Sequence, residues 1–532
     1  MHRDIDFHAV PLSDRTTANL MVTIYEEPEV NREHLAKHLG KGTADAVVEL
    51  MTKHRVSWRY KEFNLLPGAS DVHGFEWILL LGLGKKSKIR HPHRLHDRLR
   101  SVIAISARQF RRKGLGAFAV DDLSDFGVAP EIAGRLVVEG AMLGTYRFHR
   151  YKTKSDEAAP DDVPISDVYL LTDGHQGALA DSIESGTARA TSTCLARDLV
   201  NTPAKDLTPL SFANEAKKVA DSEPELEFEL LGANDMEREG MGLHLGVGQG
   251  SQEPPCVAIV HYAPRGESRG WNMALVGKGV TFDSGGYNIK PSSGMTRMYG
   301  DMAGAAAVLG AMRSIAQQRL DLNVVGVMPL SENLVSGKAY KPGDVLRSHH
   351  GRTVEITNTD AEGRLLLADS LSYTCRRYQP EFLVDIATLT GAIVIALGHF
   401  VSGLFTHANS TDDDDAFAGK LFASGREAGE WLWRMPIDDD YKVQIASDVA
   451  DLANCSTDRA TGAGAITAAV FLKEFVDFDV VKAWAHIDIA SSALMERALI
   501  YNKSPYQPRE GATGVGVRLL SSLAAHLEDP PK

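Results

Sequence analysis

The chain has 532 residues, 44% hydrophobic and 24% charged, with 57 Lys and Arg against 70 Asp and Glu. This length exceeds the ~250 to 300 residues at which one core stops growing, so at least two domains are implied, and the composition excludes disordered and collagen-like classes. A formal charge of -13 argues against whole-protein attraction to nucleic acid or anionic membrane and is compatible with peptide substrates.

The opening MHRDIDFHAV has no apolar core of the kind a secretory signal needs, and no later stretch reaches ~18 uninterrupted apolar residues. A cytoplasmic location without membrane spans is therefore expected. Residues 1–175 alternate short apolar runs with helical patterns and read as an N-terminal α/β domain, with a strand over Trp77 to Leu83 and a helix over His93 to Arg112. Between Lys85 and Lys113 eleven Lys or Arg residues face one acid, Asp97. Such a stripe could contact phosphates, but without interleaved aromatics a solvated face or subunit contact is the favoured reading, and the nearby His91, His93 and His96 read as surface residues. The polar, proline-broken KTKSDEAAPDDVP at 152–164 predicts an exposed connection, and Asp167 to Thr172 a further strand.

A helical pattern over 176–200 ends before Pro203 and predicts a linking helix. Within 201–532, strand-like runs at Cys256 to Tyr262, Met273 to Phe282, Asn323 to Pro329 and Phe382 to Ala387 alternate with helical patterns. That alternation predicts a mixed, largely parallel sheet flanked by helices, with functional groups in loops at the strand ends. The acidic run Asp412 to Asp415 reads as a solvated helix start. Cys194, Cys256, Cys375 and Cys455 are scattered without a CxxC pair, which suits reduced thiols and gives no zinc-knuckle spacing.

Two segments of this C-terminal part concentrate polar residues beside apolar runs: 274–310, ALVGKGVTFDSGGYNIKPSSGMTRMYGDMAGAAAVLG, and 356–371, ITNTDAEGRLLLADSL. In the first, a buried strand delivers Lys278 and Asp283 at its end, and Ser284, Gly285 and Gly286 turn the chain where small residues permit close approach of a ligand. Asp301 precedes a helix of small residues, where taken alone it reads as an N-cap. In the second, Asp360, Glu362 and Arg364 alternate at spacing two, so an extended backbone would point them to one side. Thr359 with Glu362 also fits a capping box ahead of an apolar helix, with no chemical role. The sum of the segments decides between these readings. Four carboxylates on strand and helix ends of one α/β domain repel one another unless cations neutralise them, and two divalent ions would do so. Oxygen ligands suit Mg²⁺, Mn²⁺ or Zn²⁺, and no histidine occurs in either segment.

The strings NTDAEGRL and VGKGVTFDSGG, with the spacing of Lys278, Asp283, Lys290 and Asp301, resemble the signature of the leucyl aminopeptidase (cytosol aminopeptidase) family. Supporting similarity in LARDLVNTPAKDLTP, DIATLTGA, ITAAVFLKEF, WAHIDIA and GATGVGVRLL extends the resemblance over roughly 190–525. The resemblance implies a metal-dependent release of N-terminal amino acids from peptides. Asp283 and Glu362 would bridge two metals (Mn²⁺ or Zn²⁺, or Mg²⁺), Asp360 would belong to one site, and Lys278 and Asp301 would complete the other. Lys290 would stabilise the oxyanion, and Arg364 would hold a bicarbonate that shuttles a proton. Met298, Thr388, Leu389, Gly391, Ala490 and Ala493 would line the pocket for the first side chain, and the subunits would form a homohexamer. Tyr299, Ala303 and Ser491 depart from the usual family residues.

Two other chemistries are contradicted by context. The DSGG at 283–286 echoes chymotrypsin-like serine proteases, but Phe282 precedes it, Tyr287 follows it, and no AAHC-type histidine motif occurs. A nucleotide-dependent enzyme lacks its GxxxxGK[ST] loop, and LGLGKK is too weak a signal.

Overall fold

The apolar runs of the first part of the chain form strands β1 (Asp6–Pro11), β2 (Asn19–Ile24), β3 (Phe63–Pro67), β4 (Trp77–Gly82), β5 (Ala117–Val120) and β6 (Asp167–Thr172) in the computed structural model. Their order is β1-β6-β5-β2-β4-β3, with neighbours parallel except the edge pair β3 and β4. All of β2 is buried, as expected of a central parallel strand covered on both faces. Residues 5–12, 17–53, 58–68, 75–153, 163–456, 462–496, 504–508 and 510–528 are the described ones. The predicted connection 152–164 lies mostly outside them. The chain divides into two compact units, Met1–Thr191 with Ala498–Arg509, and Ser192–Arg497 with Glu510–Lys532, the division falling inside one continuous helix, Gln176–Asn201.

The predicted basic helix spans Pro92–Arg112, and several of its cations are engaged internally. Arg100 meets the buried Glu139 at 2.6 Å, and Arg108 donates to the carbonyl of Gly144 at 2.6 Å. No described helix is long and apolar enough to cross a membrane.

The second unit contains β7 (Leu226–Leu231), β8 (Cys256–Tyr262), β9 (Met273–Gly277), β10 (Gly279–Asp283), β11 (Val324–Asn333), β12 (Val345–Arg347), β13 (Thr353–Glu355), β14 (Phe382–Ala387), β15 (Val401–Ala408), β16 (Trp431–Arg434), β17 (Leu452–Ala453) and β18 (Ala483–Asp488). Its main sheet runs β16-β15-β18-β14-β9-β11-β8-β7, with β10 also paired to β11. The central strands β18, β14, β9 and β11 are mutually parallel, while β15 and β8 join them antiparallel on the two sides and β7 pairs antiparallel with β8. The fold is the mixed α/β architecture expected, a smaller N-terminal unit followed by a larger C-terminal one.

One detail differs from the sequence expectation. The run Met273 to Phe282 is two strands, because the chain breaks at Lys278, whose N–H donates to Ile386 O and whose C=O accepts from Ala305 N. The break frees this side chain from the strand alternation. Just behind it the helix Ala303–Gln317 approaches so closely that a Cβ on Gly304 would lie 2.2 Å from Ile386 O. Parallel strands end on a common edge, which here collects Lys278, Asp283, Asn333, Thr388 and Asp488.

Beneath that edge the buried His244 donates from Nε2 to Leu330 O at 3.1 Å, while Nδ1 has no hydrogen-bond partner among the described residues. Charging the ring would strand a buried N–H, and burial accordingly pushes its pKa down to about 4 despite the Leu330 carbonyl. A lowered histidine pKa means the contribution is present above the unfolded value of 6.5 and is lost as pH falls through 4. Asp369, which burial raises to about 7, acts with opposite sign, so only a comparison with a variant isolates the histidine. His244→Gln keeps a donor for Leu330 and removes the titration. Urea midpoints at pH 7 and pH 4.5 are expected to show the wild type losing more stability on acidification, by on the order of 3 kcal/mol if the full shift is expressed. Equal losses would contradict this.

Candidate active site

Each polar residue singled out in the two segments reaches the strand-end edge by a different route. Lys278 occupies the break between β9 and β10, and its aliphatic chain lies over Gly363, where a Cβ would sit 2.5 Å from Lys278 Cε. Asp283 ends β10. The chain then reverses through Gly285 (φ +86°) and Gly286 (φ +63°), conformations that favour glycine, and a Cβ on Gly285 would meet Asp360 Oδ1 at 2.8 Å. Asp301 sits in the turn before the helix Ala303–Gln317 and does not cap it; the cap position is Met302. Its carboxylate instead accepts from Thr388 Oγ1 at 2.7 Å.

The second segment is not extended. Thr359 and Asp360 form a turn and Glu362 is helical (φ -75°, ψ -40°), so convergence arises from the turn and not from alternation. No capping box forms either, because Thr359 Oγ1 donates to Gly285 O at 2.7 Å and accepts from Asn288 N at 2.9 Å, tying the two segments together.

The outcome is a tight alternation of charges. Lys278 Nζ lies 2.9 Å from both Asp301 Oδ2 and Glu362 Oε1, and Lys290 Nζ lies 2.7 Å from Asp283 Oδ2 and 2.6 Å from Asp360 Oδ1. One carboxylate oxygen from each of Asp283, Asp301 and Glu362 lies within 4.8 Å of the other two. Four carboxylates against two ammonium groups leave a formal balance of -2 in a place that is largely buried.

The pKa shifts follow. Burial pushes Asp283 up to about 8, with Glu362 and Asp301 adding repulsion, and pushes Asp301 up to about 6 against the pull of Lys278. Burial also raises Asp360. Glu362 goes down, because the attraction of Lys278 and Lys290 outweighs its desolvation. Both lysines rise: burial disfavours their charge, but the carboxylates Asp301 and Glu362 for Lys278, and Asp283 and Glu362 for Lys290, more than offset it. A cluster in which acids are forced up and the balance stays negative favours added cations. Glu362 Oε2 supports this directly, being buried without a hydrogen-bond partner among the described residues. Oxygen donors of this kind fit hard or borderline divalent ions.

Arg364 lies in the helix Gly363–Tyr378 and is buried; Nη1 donates to Asn454 O at 2.9 Å, while Nε is buried without a hydrogen-bond partner among the described residues. Of the expected pocket residues, Thr388 touches the cluster directly, its carbonyl accepting from Lys278 Nζ at 3.1 Å. Leu389 and Ala490 are held by one carboxylate, Asp488, which accepts from their N–H groups at 3.2 and 3.1 Å. Gly391 opens the helix Gly391–Leu397 just beyond. Met298 lies on the turn Met298–Gly300 leading to Asp301, and Gly300 abuts the Leu494 side chain next to Ala493. Ser491 donates to Val401 O at 2.7 Å.

Several supporting residues escaped the sequence reading. Asn333, ending β11, donates from Nδ2 to Asp283 Oδ1 at 2.8 Å and to Thr359 O at 3.0 Å. Tyr340 OH donates to the same Thr359 carbonyl at 2.7 Å. Asn454, just after β17, accepts at Oδ1 from the N–H groups of Thr357 and Asn358 and donates to Asn358 O. An amide side chain ending an otherwise apolar strand run, as in SEN at 331–333, is the signal that could have found Asn333.

Comparison with known proteins identifies the family. The cytosol aminopeptidase family, catalytic domain, matches residues 194–521, and the family's N-terminal domain matches 21–155. A probable cytosol aminopeptidase of Alkaliphilus metalliredigens (strain QYMF) is 41% identical over 456 residues, 85% of each chain. One from Solibacter usitatus (strain Ellin6076) is 38% identical over 510 residues, 95% of this chain and 99% of its own. Among solved structures, a tomato leucine aminopeptidase mutant superposes with a TM-score of 0.82 at 29% identity, covering 99% of this chain and 97% of its own. The bottromycin maturation enzyme BotP in complex with Mn gives 0.79 at 33% identity, covering 96% and 100%. With both of its domains matched along nearly the whole length, the chain belongs to the cytosol aminopeptidase family and is an aminopeptidase.

Proposed function

We propose that the charge cluster holds two divalent metal ions and that the enzyme releases N-terminal amino acids from peptides there. The single observation that carries this is the convergence of Asp283, Asp301 and Glu362, with Asp360 alongside and one glutamate oxygen left without a partner. Manganese is supported as a resident ion by the relative in complex with Mn, and zinc and magnesium fit the same donors. Asp283 and Glu362 would serve both ions, Asp360 one of them, and Asp301 with Lys278 the other. When bound, the ions supply an activated water for attack on the scissile carbonyl and an anchor for the substrate's free α-amine.

The chain's own residues divide the remaining work. Lys278, which Asp301 and Glu362 by themselves hold protonated, would serve as a neutral amine ligand once bound cations lower its pKa, since an ammonium cannot ligate. Lys290 is less enclosed, its side chain 18% exposed against 3% for Lys278, and reaches the substrate side as an ammonium that stabilises the developing oxyanion. Arg364 presents a buried, unpartnered Nε–H, a donor suited to a bicarbonate-like anion that carries the proton. Met298, Thr388, Leu389, Gly391, Ala490 and Ala493 line the pocket for the first side chain, and small residues at 391, 490 and 493 leave room for a branched apolar group such as leucine. A cytoplasmic homohexamer is the assembly the family resemblance favours. The exposed apolar side chains of Ile395, Trp433 and Val443 are of the kind that subunit contacts cover.

Chelation is expected to abolish hydrolysis of aminoacyl amides, with recovery on adding Mn²⁺, Zn²⁺, Mg²⁺ or Co²⁺, while serine-directed acylators have no effect. Failure of every ion to restore activity contradicts the metal role. Lys290→Ala is expected to lower kcat by about 10² to 10³, the usual loss of one oxyanion donor, with metal content unchanged, whereas Lys278→Arg loses metal. The reverse pattern in metal analysis would exchange the two roles.

A further inference from the structure

A second group of metal-ligating side chains lies in the N-terminal unit. His34 and His38 are one turn apart on the helix Arg32–Leu39, so both rings fall on one face, and both are buried. Opposite them is the acidic loop that follows β5, with Asp121, Asp122 and Asp125. His34 Nδ1 lies 2.7 Å from Asp125 Oδ2, and His38 Nε2 lies 3.4 Å from the same oxygen. One ligand atom from each of the three residues falls within 4.8 Å of the other two.

Two of these residues, His34 and Asp125, are fixed from behind. The other nitrogen of His34, Nε2, is 2.9 Å from Asp121 Oδ2, a carboxylate itself held by the N–H and hydroxyl of Thr23 at 2.6 and 2.7 Å. The other oxygen of Asp125 is held by Lys37 Nζ at 2.7 Å, and Lys37 also reaches Asp122 at 3.0 Å. A carboxylate behind a histidine orients the ring and fixes its tautomer, the arrangement that metal-bound histidines generally show. The charges point the same way. Both nitrogens of His34 face carboxylates, so three carboxylates stand against one lysine and one imidazolium, and a divalent cation that displaces the His34 Nδ1 proton brings the group to neutrality. Asp125 is on the solvent side, its side chain 21% exposed, which leaves a coordination position open to water.

We propose that His34, His38 and Asp125 bind a divalent cation of the zinc class, with water in the fourth position, pinning the helix Arg32–Leu39 to the loop after β5. Two imidazoles and one carboxylate suit Zn²⁺, in contrast to the histidine-free cluster of the catalytic unit. Ligand bonds of about 2.0 to 2.1 Å in a tetrahedron set ligand atoms roughly 3.3 Å apart. The His38 to Asp125 separation of 3.4 Å already matches, and the 2.7 Å contact of His34 must lengthen by about half an ångström. On binding, Nδ1 of His34 carries the metal in place of a proton, which passes to solvent.

The test uses the full chain, stripped with a chelator and dialysed against Zn²⁺. His38→Ala and, separately, the more exposed Asp125→Ala are expected to bind one equivalent fewer than the wild type, whatever the catalytic cluster retains. In the Asp283→Ala, Glu362→Ala double variant, the remaining zinc is expected to show imidazole scattering from two histidines by X-ray absorption, and to be lost on adding His38→Ala. Unchanged zinc content in both single variants overturns the proposal, as it would place any imidazole-bound zinc elsewhere, for instance at the stacked His91 and His93. Zinc in the double variant without imidazole scattering overturns it as well.

Discussion

Four acidic side chains cannot share a buried edge on their own account. Asp283, Asp301, Asp360 and Glu362 arrive from a strand end, a pre-helical turn, a loop and a helix start, and two lysines hold them in an alternating array. Much of the surrounding structure follows from this constraint. Glycines stand where the array needs clearance: Gly363 under Lys278, Gly285 against Asp360 and Gly304 against the backbone of β14. Amide side chains stand where loops must be held without adding charge, Asn333 and Asn454 being the clearest cases. The two ammonium groups leave the array negative, and that residual charge connects the fold to its chemistry.

The lysines differ in a way that spacing alone does not reveal. Lys278 is clamped between Asp301 and Glu362 and covered by the start of a helix, so it behaves as part of the scaffold. Lys290 follows the Gly285 and Gly286 reversal and bridges Asp283 and Asp360 from the more open side. Two residues of one chemical type thus sit in different surroundings, one enclosed and the other on the more open side.

Much of the fold was legible in the sequence because its strands are mostly apolar: β6, β8 and β14 fall on the predicted residues, and the helix Gln176–Asn201 ends one residue beyond its prediction. The convergence of these acids and lysines was legible from their concentration in two segments. Its local geometry was not. Spacing two suggested an extended strand at Asp360 to Arg364, and Thr359 suggested a capping box. Tertiary contacts overrode both, since Thr359 is drawn to Gly285 and Asn288 and the carbonyl of the same residue is held by Asn333 and Tyr340. Likewise the strand predicted through Met273 to Phe282 breaks at Lys278, because helix and strand backbones claim its N–H and C=O. Local patterns carry no information about such distant partners.

The central claim is that the array exists to bind a pair of cations. The most direct measurement is anomalous scattering from crystals equilibrated with Mn²⁺. Two peaks are expected in the cleft, both bordered by Asp283 and Glu362, with Lys278 beside one of them and Lys290 bonded to neither. A cleft without manganese, with both lysines still paired to the carboxylates as they are here, would contradict the account.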